Sequence, residues 1–146
     1  MKITELHSLT ASQAQEVGAL IEELKPGCNV SPERLEAIVS APGTHFFTAM
    51  NEEGRIAGCA TLCVFESPTG RKASVEDVIV GECCRGQHIG RRLMEHIIDF
   101  SRSELGDVDL HLTSRPERVA ANALYRSLGF HQRETNVYKL EIRKSL

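Results

Sequence analysis

The sequence predicts an α/β (α+β) fold in which about four helices flank one mixed, mainly antiparallel sheet. Three observations lead to this prediction. The chain has 146 residues, 41% of them hydrophobic, which is enough for one compact domain spanning residues 1–146. Strand and helix patterns follow one another in the order β α α β β β α β α β β. No internal repeat, linker or low-complexity segment marks a domain boundary.

Local signals define the elements of the N-terminal half. Apolar residues spaced three or four apart follow Thr10, which is a good helix N-cap, and Ser31 followed by Pro32 begins a second helix. A turn-rich segment, Asn51 to Gly54, joins two strand patterns in the manner of a hairpin. The predicted elements are a strand from Lys2 to Leu9, helices after Thr10 and Ser31, and strands Thr44 to Met50, Arg55 to Phe65 and Ala73 to Val80.

The C-terminal half begins with the strongest helical periodicity of the chain. This pattern runs from about Gly90 to Leu105, and Gly106 is a typical C-terminal stop. A short strand pattern and another helix, which Gly129 ends, come next. The predicted elements are this long helix, a strand from Val108 to Thr113, a helix from Pro116 to Leu128, and one or two strands between Phe130 and Ile142.

Composition excludes several classes of partner. There are 17 Lys plus Arg against 20 Asp plus Glu, so no global basic field attracts nucleic acid or a membrane surface. The most apolar stretch, Ile56 to Phe65, is far shorter than the ~18 residues that span a bilayer. The first residues do not resemble a signal peptide. We therefore expect a cytoplasmic protein without membrane or nucleic-acid partners.

The five cysteines predict neither disulfides nor a metal site. Their number is odd, and a chain of this length folds without cross-links, so we expect reduced thiols. Cys59 and Cys63 lie four apart in an apolar strand pattern, and Cys83 and Cys84 are adjacent, so neither pair has the usual zinc-ligand spacing. Cys83 and Cys84 nonetheless lie beside a chemically informative loop, where a thiol can be reactive.

That loop, within RGQHIGRRLM at residues 85–94, combines glycines, arginines and a helix start. The first N–H groups of a helix have no intrahelical partner, and the helix dipole adds positive potential, so such a turn binds phosphate. Arg85, Arg91 and Arg92 add local positive charge suited to a compact polyphosphate. The pattern is neither a Rossmann nor a Walker A motif, and an ordinary helix start with solvated arginines is the alternative interpretation.

A second constellation makes the interpretation more specific. Asn122 and Tyr125 lie three apart on one helical face, directly before Gly129 and Phe130. With this helix and the loop together, almost the whole chain resembles the GCN5-related N-acetyltransferase superfamily. The resemblance implies a sheet that splays between its fourth and fifth strands and holds acetyl-coenzyme A in the opening.

The resemblance also assigns the coenzyme-binding residues. The strand carrying Val78, Ile79 and Val80 would pair with the pantetheine amides, and N–H groups of the loop would hold the pyrophosphate. His88 stands where the family motif has its first glycine. The expected coenzyme contacts are Val78, Ile79, Val80, Arg85, Gly86, Gln87, His88, Ile89, Gly90, Arg91 and Asn122, with no metal.

The resemblance assigns two catalytic roles. Tyr125 matches a tyrosine that protonates the leaving thiolate, and Glu76 matches a carboxylate that takes the amine proton. Strand alternation places Glu76 on the same face as Val78 and Val80, and opposite to Asp77. His111 and His45 are alternative bases, because imidazole titrates near neutrality. The carboxylates could instead pair with nearby cationic side chains or bind a cationic substrate.

The resulting hypothesis is transfer of an acetyl group from acetyl-coenzyme A to a primary amine, by direct attack in a ternary complex. The acceptor is a small-molecule or peptide amine, contacted in such folds by segments corresponding to Leu24 to Ser40 and Arg133 to Val137. The alternative is a coenzyme-binding regulatory domain without turnover. The C-terminal strands would also leave a sheet edge, through which a homodimer can form.

Overall fold

The computed structural model describes residues 1–144, and the chain forms two compact units, Met1–Thr113 and the part from Ser114 onward. The first unit contains a five-stranded sheet in the order β1-β2-β3-β4-β5. Strands β1 to β4 form an antiparallel meander, and β5 pairs parallel with β4, which confirms the mixed sheet. The strands are β1 Lys2–Leu6, β2 Thr44–Met50, β3 Ile56–Ser67, β4 Gly70–Val80 and β5 Asp109–His111.

Four α-helices accompany these strands, and their starts follow the local signals. Thr10 and Gln13 form a capping box at the start of the first helix, and the Ser31 side chain accepts the Arg34 N–H at the second. Gly106 has a φ of 71° just after the third helical segment. The helices are α1 Ala11–Leu24, α2 Pro32–Ser40, α3 Ile89–Phe100, which a π-helical turn Ser101–Leu105 extends, and α4 Val119–Ser127.

The helices of the first unit cover both faces of the sheet. Val17 and Leu20 of α1 and Leu35 and Val39 of α2 pack in one cluster with sheet residues such as Cys59, on what we call the α1 face. The opposite α3 face is covered by α3, whose core-facing side chains Leu93, Met94 and Ile97 are fully buried. This burial supplies most of the favourable free energy of folding, because the apolar side chains leave water.

The second unit contains α4 but no strand among its described residues. The predicted strands between Phe130 and Ile142 are therefore wrong for this chain as described. A strand forms only when its backbone N–H and C=O groups find a neighbouring strand, and residues 130–144 pair with none. The strand-like sequence pattern is present there, but the pairing partner is missing. In the described residues, moreover, no helix is long and apolar enough to cross a membrane.

Gly58 in β3 lies close to both β4 and α3. A Cβ atom at this position would lie 2.9 Å from the carbonyl oxygen of Ile79 and 3.4 Å from side-chain atoms of Ile89 and Leu93. The first neighbour is backbone of β4, which cannot move without disturbing the sheet. Glycine is therefore required here because of the space and not because of its backbone conformation.

We predict that Gly58→Ala lowers the free energy of unfolding by about 1–3 kcal/mol, because the added methyl overpacks the sheet. Gly18→Ala is the matched control, since Gly18 lies within α1 and nothing approaches its Cβ position within 4 Å. Alanine in a helix interior should raise stability by about 0.5–1 kcal/mol. Urea unfolding of both variants checks the pair, and equal effects at the two positions would contradict this packing.

Candidate functional site

Strand β4 extends well beyond its pairing with β5. Lys72, Ala73 and Ser74 lie opposite Asp109, Leu110 and His111, and the β4–β5 pairing ends there. From Val75 to Val80 the strand continues along β3, while no described strand pairs with its other edge. Such an edge can accept an extended ligand through backbone hydrogen bonds. The splay between the fourth and fifth strands is thus present in the structure.

A β-bulge interrupts β4 at the candidate base. Thr61 lies opposite Glu76, whereas Cys59, two residues away, lies opposite Ile79, so β4 has one extra residue here. Asp77 in the bulge has a φ of 52°. The extra residue shifts the alternation, so the prediction that Glu76 shares a face with Val78 and Val80 is wrong.

After this shift, Glu76 and Val80 lie on opposite faces of the sheet. Glu76 shares the α1 face with its partner Thr61, whereas Val80 lies opposite Gly58 and faces α3. The Glu76 side chain is exposed, and the Ser74 hydroxyl donates a hydrogen bond to its Oε1 at 2.6 Å. A solvated carboxylate held by one neighbour is well suited to exchanging protons with a substrate.

The two histidines proposed as alternative bases have different surroundings. His111 lies next to Ser74 in the β4–β5 register, which places it on the same face as Glu76. His45 lies on the α3 face, where its Nδ1 is 2.8 Å from Glu5 Oε2 and its ring packs against Phe100. Glu76 and His111 thus share one face of the sheet, and His45 lies on the other face in a packing role.

The loop after β4 is tied to both α1 and β4. Glu23 of α1 accepts the Glu82 N–H at 3.1 Å, and its carboxylate lies 4.0 Å from the Arg85 guanidinium. Arg85 also donates through Nε to the Val80 carbonyl at 3.2 Å. Sequence reasoning missed Glu23, because it lies 59 residues before its partner and no local pattern marks it.

The backbone at the start of α3 has the conformation that a glycine would adopt. His88, the N-cap residue, has φ 60° and ψ 22°, and Gly86 has a φ of 81°. His88 therefore keeps the left-handed turn that the glycine would allow freely, at some cost in strain. No side chain caps this helix, so its start offers backbone N–H groups to a ligand.

The three arginines near the loop have different orientations. Arg85 is fixed at the end of β4, and Arg91 lies in the first turn of α3, with its guanidinium 3.6 Å from Glu95. Arg92 instead donates to the Met1 carbonyl at 2.7 Å. Arg85 and Arg91 therefore stay with the loop and the first turn of α3, whereas Arg92 is directed toward the N-terminal strand.

The cysteines show no sign of a nucleophile or a metal centre. Cys83 and Cys84 lie in a 3₁₀ turn just before Arg85, with their sulfurs 3.4 Å apart, and the hydrogen bond between the two thiols raises the pKa of Cys84. Burial raises the pKa of Cys59 to about 12. A raised pKa reduces the thiolate fraction and therefore the reactivity. Across residues 1–144, no group of three or more potential metal ligands occurs.

In the second unit, α4 carries the remaining predicted site residues. Tyr125 is 6% exposed, its ring lies 6.1 Å from that of Phe130, and burial raises its pKa while Arg118 opposes the shift. Its hydroxyl is therefore protonated at neutral pH. Asn122 donates both amide hydrogens to the carbonyls of Arg115 and Arg118, at 2.9 and 2.8 Å, and so closes the turn before α4.

Comparison with known proteins agrees with this arrangement. The family model described as Acetyltransferase (GNAT) family matches residues 10–130. An N-alpha-acetyltransferase RimI of Mycobacterium tuberculosis is 29% identical over 126 residues, covering 86% of this chain and 77% of that protein. Streptothricin acetyltransferase of Streptomyces lavendulae is 37% identical over 84 residues, but the match spans only 58% of this chain and 43% of the relative.

Solved structures show the same fold. An aminoglycoside acetyltransferase from an uncultured soil metagenomic sample, solved with sisomicin, superposes with a TM-score of 0.82 at 21% identity, covering 98% of this chain and 96% of that one. The family model matches most of the chain, residues 10–130. The chain therefore belongs to the acetyltransferase (GNAT) family.

Proposed function

We propose that this protein transfers an acetyl group from acetyl-coenzyme A to a primary amine, by direct attack within a ternary complex. The observation that carries the proposal is the open edge of β4 from Val75 to Val80, which leads directly into the loop before α3. In the coenzyme, the extended pantetheine arm with its amides is likewise followed by the pyrophosphate, in the same order as the strand edge and the loop. The family's acetyltransferases support the transferred group.

The residues present fit the coenzyme. Backbone groups of Val78, Ile79 and Val80 would pair with the pantetheine amides, and backbone N–H groups from Arg85 to Arg91 would hold the pyrophosphate. His88 already adopts the left-handed turn that such a loop needs. Once bound, the coenzyme supplies an acetyl group activated as a thioester. Asn122 contributes by fixing the turn before α4, and a direct contact to the coenzyme stays part of the proposal.

Glu76 is the proposed general base. An amine is mostly protonated at neutral pH, so it must lose a proton before it can attack a carbonyl carbon. The Glu76 carboxylate is exposed and oriented by the Ser74 hydroxyl, and it would accept this proton directly or through a water molecule. His111, on the same face, is the second candidate for this step.

Tyr125 is the proposed general acid. Its hydroxyl would give a proton to the coenzyme sulfur as the carbon–sulfur bond breaks. Burial raises the pKa of Tyr125 above its ordinary value of 10.0, so the proton is retained over the range in which amines are acetylated. The proposed acid therefore carries the proton that the leaving thiolate needs.

The acceptor is proposed as a small-molecule or peptide amine. The relatives include, by their names, an N-alpha-acetyltransferase and a streptothricin acetyltransferase, which differ in the molecule they modify. Glu76 lies on the α1 face, the side on which α1 and α2 pack. The amine would approach Glu76 from this face, and the segment from Leu24 to Ser40, which includes α2, is proposed to contribute acceptor contacts together with Arg133 to Val137.

Calorimetric titration with acetyl-coenzyme A tests the donor site directly. We expect binding in the micromolar range that falls about tenfold or more when Arg85 and Arg91 are both replaced by alanine, because charge-assisted hydrogen bonds to phosphate are lost. Arg102→Ala is the control, since this arginine is exposed in the π-helical turn after α3. Adenosine diphosphate should bind more weakly and show the same arginine dependence. Absence of binding at millimolar coenzyme would refute the proposal.

We predict that Tyr125→Phe lowers kcat by about 100-fold, because the proton donor is removed, while coenzyme affinity is unchanged. Tyr138→Phe is the matched control, since it removes the same hydroxyl from a side chain that is 88% exposed. Release of free thiol during turnover measures both. Coenzyme binding without thiol release in the parent protein would instead favour a regulatory binding domain.

Glu76→Gln should lower kcat by about 100-fold, with little change in coenzyme affinity, because the proton acceptor is removed. Asp77→Asn is the matched control, because it removes the same charge from the next residue and asparagine tolerates the positive φ of that position. If both variants lost the same activity, the local charge and not proton transfer by Glu76 would explain the effect. Ser74→Ala should reduce kcat less than Glu76→Gln does.

A further inference from the structure

Residues 136–143 expose an unusual amount of apolar surface. Four large apolar side chains within six consecutive positions are each more than three-quarters exposed: Val137 (76%), Tyr138 (88%), Leu140 (83%) and Ile142 (81%). Apolar residues scattered singly on a surface are ordinary, but a contiguous exposed group marks an interaction site. No described strand pairs with this segment.

The order of side chains in this segment is that of a half-buried strand. Tyr138, Leu140 and Ile142 occupy alternate positions, and charged residues lie between and after them. In a strand, the first set would form one apolar face, and Lys139, Glu141 and Arg143 would form the opposite charged face. Aromatic and β-branched residues also favour strands. The segment therefore has the composition of a strand that lacks a partner.

We propose that residues 137–143 pair antiparallel with the same residues of a second copy of this chain, across a two-fold axis at Leu140. In this register Leu140 faces its own counterpart, and Tyr138 faces Ile142 of the other copy. Lys139 faces Glu141, so two opposite-charge pairs form by symmetry. Cross-strand pairs of these kinds stabilise antiparallel sheets.

The sequence is compatible with this register and not with its neighbours. Directly opposed residues in an antiparallel pair point to the same face, so a shift of one residue would place Leu140 opposite Lys139 or Glu141. A shift of two would place Lys139 or Glu141 opposite its own counterpart, which is a like-charge contact. A shift of four would leave an apolar residue opposite Glu134 or Lys144. The proposed register places apolar residues together from Tyr138 to Ile142 and Lys139 opposite Glu141, and only at its two ends does an apolar residue, Val137, lie opposite a charged one, Arg143.

The self-complementary charge order identifies the partner as another copy. Within one chain, Glu141 lies 3.0 Å from Lys139 Nζ and 3.7 Å from an Arg143 nitrogen. These pairs are exposed and contribute little on their own. A positive and a negative residue placed one on each side of Leu140 match each other when the strand meets an inverted copy of itself. A different protein would not need this symmetry.

Charge reversal tests the proposal by sedimentation equilibrium of the full chain. The parent protein should dimerise, and Lys139→Glu or Glu141→Lys alone should weaken association by about tenfold or more, because each makes both symmetric pairs like-charged. A mixture of these two single variants should associate as the parent does, since each copy then carries the charges opposite to its partner. The double variant carrying both reversals should also dimerise alone.

Two exposed charges outside the segment provide controls. Lys25→Glu and Glu52→Lys make the same charge changes at exposed positions of the first unit and should leave association unchanged. A monomeric parent protein at high concentration would overturn the proposal. So would single variants that dimerise like the parent, or a mixture that associates no better than its components. If the segment instead pairs with a strand of its own chain, the parent protein, both single variants and their mixture should all be monomeric.

Discussion

Strand β4 pairs with two strands that differ in length and direction, the long antiparallel β3 and the short parallel β5. The candidate site in the first unit depends on this unequal pairing. Along β3, strand β4 is paired antiparallel from Gly70 to Val80, and this pairing fixes its position in the sheet. Along β5 it is paired parallel only at Lys72, Ala73 and Ser74. The remaining length is thus held rigidly on one side while its other edge lacks a partner strand. A binding edge built in this way needs no induced ordering, because β3 has already fixed its backbone.

The loop that follows β4 extends this rigidity to the helix start. Glu23 and the Val80 carbonyl hold the Arg85 side chain, and the left-handed turn at His88 directs the chain into α3. Backbone N–H groups, and not a particular side chain, are the donors that a pyrophosphate needs at such a place. This explains why the loop keeps its shape with a histidine at a position where the family has glycine. The side chain changes, but the left-handed backbone conformation is retained.

Burial gives the two proposed catalytic groups opposite properties. Tyr125 lies within the second unit at 6% exposure, and its pKa is raised, whereas Glu76 is exposed at the bulge of β4. Burial thus keeps the proposed proton donor protonated, and exposure leaves the proposed proton acceptor open to solvent. Cys59, Cys63 and Cys84 have raised pKa values for reasons of burial and neighbouring groups, which disfavours them as nucleophiles. Direct attack by the amine is consistent with that distribution.

Much of the fold follows from the sequence, because its signals are local. The caps at Thr10 and Ser31, the strand Thr44–Met50 and the amphipathic pattern of α3 each depend on a few adjacent residues. The loop from Arg85 to Arg91 and the helix with Tyr125 were also readable, since motif spacing marks them. Pairing between distant residues decided the rest. Because of the bulge at Asp77, Glu76 lies on the face opposite to Val80. Glu23 of α1 accepts a hydrogen bond from the loop after β4, and residues 130–144 form no strand. A strand and its register exist only when a partner supplies hydrogen bonds, and that partner is fixed by the tertiary structure.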